Sequence, residues 1–464
     1  MSTSPAPSAF VLLACGFLAA CSTCENGGRK RPDIVIVSMD AVRADRLGAY
    51  GYEKGATPGL DAFAKESVVF EAHHAQAPMT LPAHASLFTG LDPDHHGVLS
   101  NGFYRLGGGA VTLAELLSAA GYRAGAVVAS SSLEKKLGLD QGFASYDDRL
   151  NPGSKVRRID AEEVTDRAVS WLEARGDSES IFLFVHYFDA HKPVTAPGRF
   201  AFPNPYDSGV AYADEQISRL LDGLKRRGRY DGALIAVTAD HGQSLGEHNL
   251  QGHTAILYEQ TLRIPLIVRF PGGRGRGTRV GALTRSVDVM PTVLSAAGVR
   301  APAGIDGADL TALARGASEP APRESFSLAS LEILPQLDQV SLISGRWKLI
   351  SKTAFGATEE QPLIDIPIRK PEWMMLDVLP TKMVQKARQK VLDVAAGSVD
   401  VRQLFDLEAD PAEERNLYGA QPEVAKTLES RIAGRSVART GAPGVRFVPA
   451  GDLEEKLRGL GYLY

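Results

Sequence analysis

The feature that most constrains this fold is a continuous apolar run that ends in a carboxylate. It extends from Asp33 to Asp40, with the sequence DIVIVSMD, and its central residues are apolar at consecutive rather than alternate positions. This pattern is typical of a parallel strand that is covered on both faces. Comparable runs follow along the chain at Arg123–Ser130, Ile181–Tyr187, Ala233–Thr238 and Ile264–Phe270.

Segments with helical periodicity separate these runs. They are Thr57–Ser67, Thr112–Ala120, Ala161–Ala174 and Ala211–Arg227. Strand and helix therefore alternate, which predicts a doubly wound α/β sheet, mostly parallel, with helices on both faces.

The pattern changes after a helix expected at Thr292–Ala297. Residues 298–323 are rich in Pro, Gly and Ala, which indicates a loop or linker. Shorter strands are predicted at Ser325–Leu328, Val340–Ile350 and Gln403–Leu407, with a helix near Val424–Ala433. A chain of 464 residues is long enough for more than one domain. We therefore expect a catalytic domain at residues 32–320 and a smaller C-terminal α+β domain at residues 321–464.

The N-terminus resembles an export signal. Phe10–Ala20 is an apolar segment of signal-peptide length, and Leu18-Ala19-Ala20-Cys21 is similar to a bacterial lipoprotein processing site. All three cysteines, Cys15, Cys21 and Cys24, lie in this region. We expect residues 1–24 to be a leader with lipidation at Cys21, and residues 25–31 to be a tether. The body would then be exported and anchored in a membrane, facing the periplasm or the cell exterior.

Two alternatives to the lipoprotein leader stay open. Residues 1–9 contain no Lys or Arg, unlike the positively charged start of a typical signal peptide. The alternatives are a plain signal peptide and a cytoplasmic start that carries an isolated apolar run.

Composition excludes one class of partner. The formal net charge is -4, and no basic region alternates with aromatic residues. Nucleic acid is therefore not an expected partner.

A hydroxyl residue, Thr80, lies at the start of a predicted helix in the stretch Ala77–Gly90. Helix N-termini favour anions because their backbone N–H groups are unpaired and the helix dipole is positive there. The Thr80 hydroxyl could cap the helix, which is the commoner role, or attack an anionic ester bound at this end.

Carboxylates and imidazoles follow several of the predicted strands. Since ligands of such sheets bind beyond the carboxyl ends of the strands, these side chains are expected to converge. A single Asp after a strand is more often a helix cap, but several together form the kind of cluster that a metal requires. The residues are Asp40, His186, Asp189, His191, Asp240, His241 and, one short loop later, His253.

Taken together, these segments resemble the sulfatase branch of the alkaline-phosphatase superfamily over nearly the whole mature chain. The similar pieces occur in the family's order, and they include Arg31–Asp40, Arg43–Asp45, Gly48–Tyr52, the Thr80 stretch, His96–Val98, Asp240–Gly242, Leu245–His248, Tyr258–Gln260, Arg263–Arg269, Gly345–Lys348, Leu404–Pro411 and Leu457–Leu463.

The resemblance implies roles for individual residues. Asp40, Asp240 and His241 would hold a divalent metal, with Thr80 at the nucleophile position and also touching the metal. His191 resembles the family histidine that contacts the ester or leaving group. His253 occupies the place of a Lys or His that reaches the same anion.

Three further residues are less closely matched to the family. Asp189 and His186 could contribute to a second metal site, as in the phosphatase and phosphodiesterase branches. His84 is either a residue of the helix start or a contact to the substrate.

The chain departs from the family at its centre. Sulfatases usually carry Cys or Ser, followed by x-Pro-x-Arg, and convert it to formylglycine, whereas this chain has Thr80 with His84 at the arginine position. Oxidised threonine would be a ketone, so formylglycine is not expected. Ala41 replaces the second aspartate of an Asp-Asp pair, which leaves one ligand fewer or a compensating water. The family's Gly-Lys-Trp-His loop has no counterpart around Ala129–Gly138.

Three functions remain open at this point. The favoured one is a metal-dependent hydrolase or transferase of sulfate or phosphate esters, which acts through a covalent intermediate on Thr80. The others are a sulfatase without formylglycine and a catalytically inactive binding lipoprotein. The expected cofactor is Ca, Mg, Mn or Zn, with Mn or Zn favoured by the imidazole of His241. The expected substrate is a small-molecule, glycan or lipid ester.

Overall fold

The computed structural model describes residues 31–54, 56–151, 157–254, 256–318, 322–330, 338–352, 402–435 and 444–446. The predicted leader, the lipidation site at Cys21 and the tether up to Lys30 lie outside these ranges. Within them, every helix is too short or too polar to cross a bilayer.

The strands are numbered in chain order. They are β1 Ile34–Met39, β2 Val68–His74, β3 Tyr104–Leu106, β4 Arg123–Val127, β5 Ser145–Asp147, β6 Ile181–Tyr187, β7 Leu234–Ala239, β8 Ser244–Leu245, β9 Gln251–Gly252, β10 Arg263–Arg269, β11 Arg279–Arg285, β12 Glu324–Ala329, β13 Gln339–Ser344, β14 Trp347–Lys352, β15 Arg402–Asp406 and β16 Gly444–Arg446.

The α-helices are numbered in the same way. They are α1 Pro58–Lys65, α2 Thr80–Thr89, α3 Pro93–His96, α4 Leu113–Ala119, α5 Ala161–Glu173, α6 Pro205–Arg226, α7 Glu259–Leu262, α8 Val289–Ala297, α9 Thr311–Ala314 and α10 Pro422–Arg435.

The main sheet confirms the predicted doubly wound architecture. Its strand order is β11-β2-β10-β7-β1-β6-β4-β5. The prediction was wrong about the direction of one strand. Ile264–Phe270 was expected to be parallel, but β10 runs antiparallel to both β7 and β2. Strands β2, β5 and β11 were not predicted.

Helices cover both faces of this sheet because β1 is apolar on both. Val35, Val37 and Met39 belong to a core that includes residues of α1, α5 and α6, while Ile34 and Ile36 belong to a core that includes residues of α2, α4 and α8. Alternate residues of one strand thus enter opposite layers. This double burial explains the continuous apolar pattern.

The register of β1 sets the position of the site. Ser38 pairs with His186 of β6 on one side and with Thr238 of β7 on the other. The three strands are parallel, so their carboxyl ends lie at one level. Asp40 and Asp240, each directly after its strand, therefore leave the sheet side by side.

A smaller antiparallel sheet, β12-β13-β14-β15, confirms the expected second architectural element near the C-terminus. The run Val340–Ile350 was expected to be one strand, but it forms β13 and β14, which pair with each other across a turn at Gly345, whose φ is 58°. The backbone N–H of Leu328 in β12 donates to the carbonyl of Gln76 at 2.9 Å, which ties this sheet to the segment before α2. The domain boundary at residue 320 stays a prediction.

Candidate active site

The carboxyl ends of β1 and β7 bring together three of the predicted metal ligands. His241 Nε2 lies 3.4 Å from Asp240 Oδ2 and 3.9 Å from Asp40 Oδ1. All three side chains are buried. The His241 ring donates from Nδ1 to the carbonyl of Gly242 at 2.9 Å, so the Nε2 lone pair faces the two carboxylates. Burial lowers the His241 pKa to about 3, which keeps that lone pair free.

The chemistry of this cluster fits a divalent cation. Asp40 Oδ1 and Asp240 Oδ2 are buried without a hydrogen-bond partner among the described residues. Burial raises the pKa of both carboxyls well above their usual range, and the Asp40 charge adds to the effect on Asp240. Two buried carboxylates repel each other unless a cation lies between them. A neutral imidazole nitrogen and carboxylate oxygens form a suitable ligand set.

Thr80 does not cap the helix that it begins. Met79 is the residue before α2, and the Thr80 hydroxyl donates instead to Asp40 Oδ2 at 3.3 Å. Its Oγ1 also lies 3.5 Å from His241 Nε2. The hydroxyl therefore borders the carboxylate cluster, as the resemblance implied. Asn101, which sequence analysis did not single out, binds this helix start, because its Oδ1 accepts from the N–H of Leu81 at 2.9 Å.

His191 and His253 face each other across the site. Their Nε2 atoms are 3.1 Å apart, while their Nδ1 atoms donate to the carbonyls of Lys192 and Pro78, both at 2.7 Å. Burial and the neighbouring ring lower the pKa of His191 to about 3, and burial lowers that of His253 as well. Each ring therefore carries a proton on Nδ1, and at most one further proton can lie between the two Nε2 atoms. His253 also stacks on His241, with ring centroids 4.2 Å apart.

The two remaining histidines lie beneath the carboxylates. His186 Nε2 is 3.3 Å from Asp40 Oδ2, and its Nδ1 accepts from the N–H of Ala129 at 3.4 Å. His84 Nδ1 donates to the Thr80 carbonyl at 2.7 Å, and its Nε2 pairs with Ser38 Oγ at 3.0 Å. Both nitrogens of His84 thus have protein partners, and the ring supports α2 from within the core.

Asp189 lies apart from the other predicted ligands. Its Oδ1 accepts from the N–H of Ala161 at 3.1 Å, at the start of α5, and its Oδ2 is buried without a partner. In the part of the chain that the structure describes, the two groups of side chains that could hold a metal are Asp40 with Asp240 and His241, and His84 with His186 and Asp240. Asp189 belongs to neither group.

A strained turn connects β1 to the site. Ala41 has φ 59°, in the left-handed region, and its carbonyl accepts from the Tyr206 hydroxyl at 2.7 Å. The same hydroxyl accepts from the N–H of Arg43 at 2.9 Å. The Arg43 side chain then reaches Glu247 at 2.6 Å, in the loop after Asp240. Neither Tyr206 nor the role of Arg43 was predicted, because these contacts join residues far apart in sequence.

Comparison with known proteins identifies the family of this chain. A sulfatase family model matches residues 32–299, and a model described as N-sulphoglucosamine sulphohydrolase, C-terminal, matches residues 246–365. An ulvan-active sulfatase of Formosa agariphila is 26% identical over 346 residues, which cover 64% of this chain and 67% of the relative. An N-acetylglucosamine-6-O-sulfatase of Bacteroides thetaiotaomicron is 23% identical over 418 residues, which cover 66% of this chain and 75% of the relative.

A solved structure shows the same fold. It is the phosphonate monoester hydrolase of Agrobacterium radiobacter, which superposes with a TM-score of 0.68 at 18% identity and covers 90% of this chain and 100% of its own. The fold and resemblance predicted from the sequence are therefore confirmed. Since the family model extends over more than half of its length, this chain belongs to the sulfatase family.

Proposed function

We propose that this sulfatase-family ester hydrolase attacks a sulfate or phosphate ester with the Thr80 hydroxyl, beside a divalent cation held by Asp40, Asp240 and His241. One observation carries the proposal: Thr80 Oγ1 donates to Asp40 Oδ2 at 3.3 Å instead of capping α2. A buried hydroxyl directed at a carboxylate pair, at the N-terminus of a helix, has the surroundings of a nucleophile for an anionic ester.

The cation would be held by Asp40 Oδ1 and Asp240 Oδ2, which have no hydrogen-bond partner among the described residues, and by His241 Nε2, whose lone pair faces them. When bound, a divalent cation neutralises charge on the ester oxygens and lowers the pKa of a neighbouring hydroxyl. The mixture of oxygen and imidazole ligands favours Mn or Zn over Ca.

Side chains of this protein supply the nucleophile and the proton transfers of the covalent step. The Thr80 hydroxyl passes its proton to Asp40 Oδ2, which accepts its hydrogen bond, and Oγ1 bonds to sulfur or phosphorus while the bond from that atom to the leaving oxygen breaks. The leaving alcohol takes a proton, and the His191–His253 pair is placed to hold one. Water then attacks the sulfur or phosphorus of the esterified Thr80 and gives a proton to the His191–His253 pair, while Asp40 returns its proton to Thr80 Oγ1, so that sulfate or phosphate is released and the hydroxyl is restored.

Threonine at this position separates the proposed mechanism from one that uses formylglycine. Formylglycine is an aldehyde, whereas oxidation of the Thr80 side chain would produce a ketone. The proposed intermediate is therefore an ester of an unmodified Thr80. A phosphate or sulfate ester fits equally in geometry, and the two differ mainly in charge.

The relatives suggest which substrates to assay. Two are described as an ulvan-active sulfatase and an N-acetylglucosamine-6-O-sulfatase, and the structural neighbour as a phosphonate monoester hydrolase. We propose a small-molecule or glycan ester as substrate, with turnover compared on 4-nitrophenyl sulfate, 4-nitrophenyl phosphate and bis(4-nitrophenyl) phosphate.

Substitution of Thr80 tests the nucleophile. We expect Thr80→Ala to lower kcat by at least about a thousandfold with metal still bound. Thr89→Ala is the matched control, because Thr89 is buried in the same helix but donates to the Ala85 carbonyl at 2.7 Å. Intact-mass analysis of quenched wild type should show one added sulfuryl or phosphoryl group, which Thr80→Ala lacks. Full activity of Thr80→Ala would exclude this mechanism, and metal-loaded wild type inactive on all three esters would favour a binding protein.

We also propose that the enzyme is exported and anchored through a lipid on Cys21, on the sequence similarity to a lipoprotein processing site. Fractionation of cells that express wild type or Cys21→Ser tests this. Wild type should be in the membrane fraction and the variant should be released, whereas identical partitioning would contradict it.

A further inference from the structure

Two cationic residues, Arg158 and Lys192, contact or belong to the loop that carries His191, outside the carboxylate cluster. Arg158 Cζ is 5.9 Å from the centroid of the Phe188 ring, and Phe188 stacks on His191 with centroids 4.4 Å apart and planes 18° apart. Arg158 Nη1 donates to the carbonyl of Pro193 at 2.5 Å. Lys192, the residue before Pro193, supplies the carbonyl that accepts from His191 Nδ1. The two cations are thus attached to the same loop as the histidine.

Within the described residues, neither Arg158 nor Lys192 forms a direct ion pair with a carboxylate. Across the described parts of the chain, no carboxylate contacts the Arg158 guanidinium, and Asp189 and Asp160 attract it only over a longer distance. The Lys192 ammonium donates to the side-chain oxygen of Gln251 at 2.8 Å, which is a neutral partner. Arg199, by contrast, forms an ion pair with Glu215.

The charge of Arg158 acts on His191. It is one of the influences that lower the pKa of His191, after burial and the repulsion from His253. Burial also lowers the pKa of Arg158 itself. Arg158 is half-buried, so its guanidinium has lost part of its hydration without gaining a carboxylate partner. Hydrogen bonds to a ligand anion would compensate for that loss.

We propose that Arg158 and Lys192 form a subsite for a second anionic group of the substrate, a carboxylate or an additional sulfate, beside the ester that reacts. The inference rests on the proposed function for the identity of the first anionic group. Arg158 is suited to bind such a group with its guanidinium, and Lys192 adds a point charge from the neighbouring position. A substrate with a second anionic group should therefore bind more tightly than a simple aryl ester, which the site would still accept.

Binding of two matched probes separates this subsite from catalysis. Benzenesulfonate carries one anionic group, and 3-sulfobenzoate carries the same sulfonate plus a carboxylate. Calorimetry measures both dissociation constants with metal-loaded full-length protein, so the test does not depend on turnover. Wild type should bind 3-sulfobenzoate more tightly than benzenesulfonate. Arg158→Gln and Lys192→Gln should each weaken 3-sulfobenzoate binding by up to about tenfold, with benzenesulfonate unchanged within about twofold.

Arg199→Gln is the matched control, since it removes an exposed arginine that is paired with Glu215 at 2.5 Å. It should leave both dissociation constants unchanged. Equal affinity of wild type for the two probes would overturn the subsite, as would equal weakening of both probes in Arg158→Gln. Loss of turnover with the charge preference retained would instead count against the proposed function alone. Circular dichroism and thermal melting confirm that each variant is folded.

Discussion

The backbone N–H of Ala41 donates a hydrogen bond of 3.0 Å to Oδ1 of Asp240, a residue on the neighbouring strand end. The backbone N–H of His241 donates to the same oxygen at 2.8 Å. These two bonds fix the carboxylate so that Oδ2 faces Asp40 and His241. Ala41 makes this contact in a left-handed conformation, with φ 59°.

Ala41→Gly should stabilise the protein, because glycine adopts a positive φ without the steric cost that a Cβ imposes. The expected gain in the free energy of unfolding is about 1 kcal/mol. Equilibrium denaturation in urea measures it. Ala44→Gly is the control, since Ala44 is buried in a short helical turn nearby and should lose about 0.5 to 1 kcal/mol. A loss at both positions would show that Ala41 is not strained.

Metal content should depend on the carboxylate pair. Asp40→Asn and Asp240→Asn each remove a charged ligand, so purified protein should lose most of the divalent cation that wild type retains, as measured by elemental analysis. Chelator should lower the melting temperature of wild type and leave that of both variants unchanged, because only a bound cation stabilises the fold by linkage.

The control for the metal experiment is Asp214→Asn. Asp214 is also buried, but it accepts from the backbone of α1, from Gly59 at 2.9 Å and Leu60 at 2.6 Å. Its variant should keep the metal of wild type. Unchanged metal content in Asp40→Asn or Asp240→Asn would refute the assignment of these ligands.

The strands at the centre of the sheet could be predicted because their sequences report burial directly. The run from Ile34 to Met39 is apolar on both faces, which fits an inner strand of an α/β sheet that helices cover on both sides. The segment Arg279–Arg285 has a mixed pattern because β11 is an edge strand that is partly exposed. The direction of β10 could not be predicted, because an apolar run does not indicate whether the strand runs parallel or antiparallel to its neighbours.

The candidate site could be predicted only where strand topology determines proximity. Asp40 and Asp240 follow adjacent parallel strands, so their convergence was expected. The 3.1 Å contact of His191 with His253 depends on two loops whose paths are not encoded in local sequence. The left-handed conformation of Ala41 could not be predicted either, because alanine, unlike glycine or asparagine, does not indicate a positive φ.

Lys348 in β14 should be essential for stability. Its Nζ lies 2.9 Å from Glu259 Oε1 and 2.8 Å from Glu413 Oε1, and the lysine side chain is wholly buried. Lys348→Met would leave the buried Glu413 carboxylate and the partly buried Glu259 carboxylate without this ammonium, which costs about 3 kcal/mol in the free energy of unfolding.

Lys225→Met provides the comparison for Lys348, because Lys225 is exposed on α6 and its pair with Asp222 spans 3.3 Å. It should change the free energy of unfolding by less than about 0.5 kcal/mol. If Lys348→Met and Lys225→Met unfold at the same denaturant concentration as wild type, the buried triad contributes nothing to stability.

Asp189 should make the stability of the fold depend on pH. Burial raises its pKa from 3.8 to about 7, against hydrogen bonding from Ala161 and attraction to Arg158, while the charge of Asp160 adds to the rise. The folded state therefore binds a proton that the unfolded state releases at lower pH. The stability that this carboxyl contributes is fully present below about pH 4 and is lost as the pH rises through about 7.

Asp189→Asn tests this sign, because asparagine keeps an oxygen for the Ala161 N–H and does not titrate. Between about pH 4 and 8, the free energy of unfolding of wild type should fall relative to that of the variant by up to about 4 kcal/mol. Asp222→Asn, at an exposed position on α6, should show no such trend. A constant difference between wild type and Asp189→Asn across this range would mean that the buried carboxyl is ionised in the folded state throughout. A requirement of Asp189 for metal binding would then become the better explanation of its burial, and metal content of the variant would decide it.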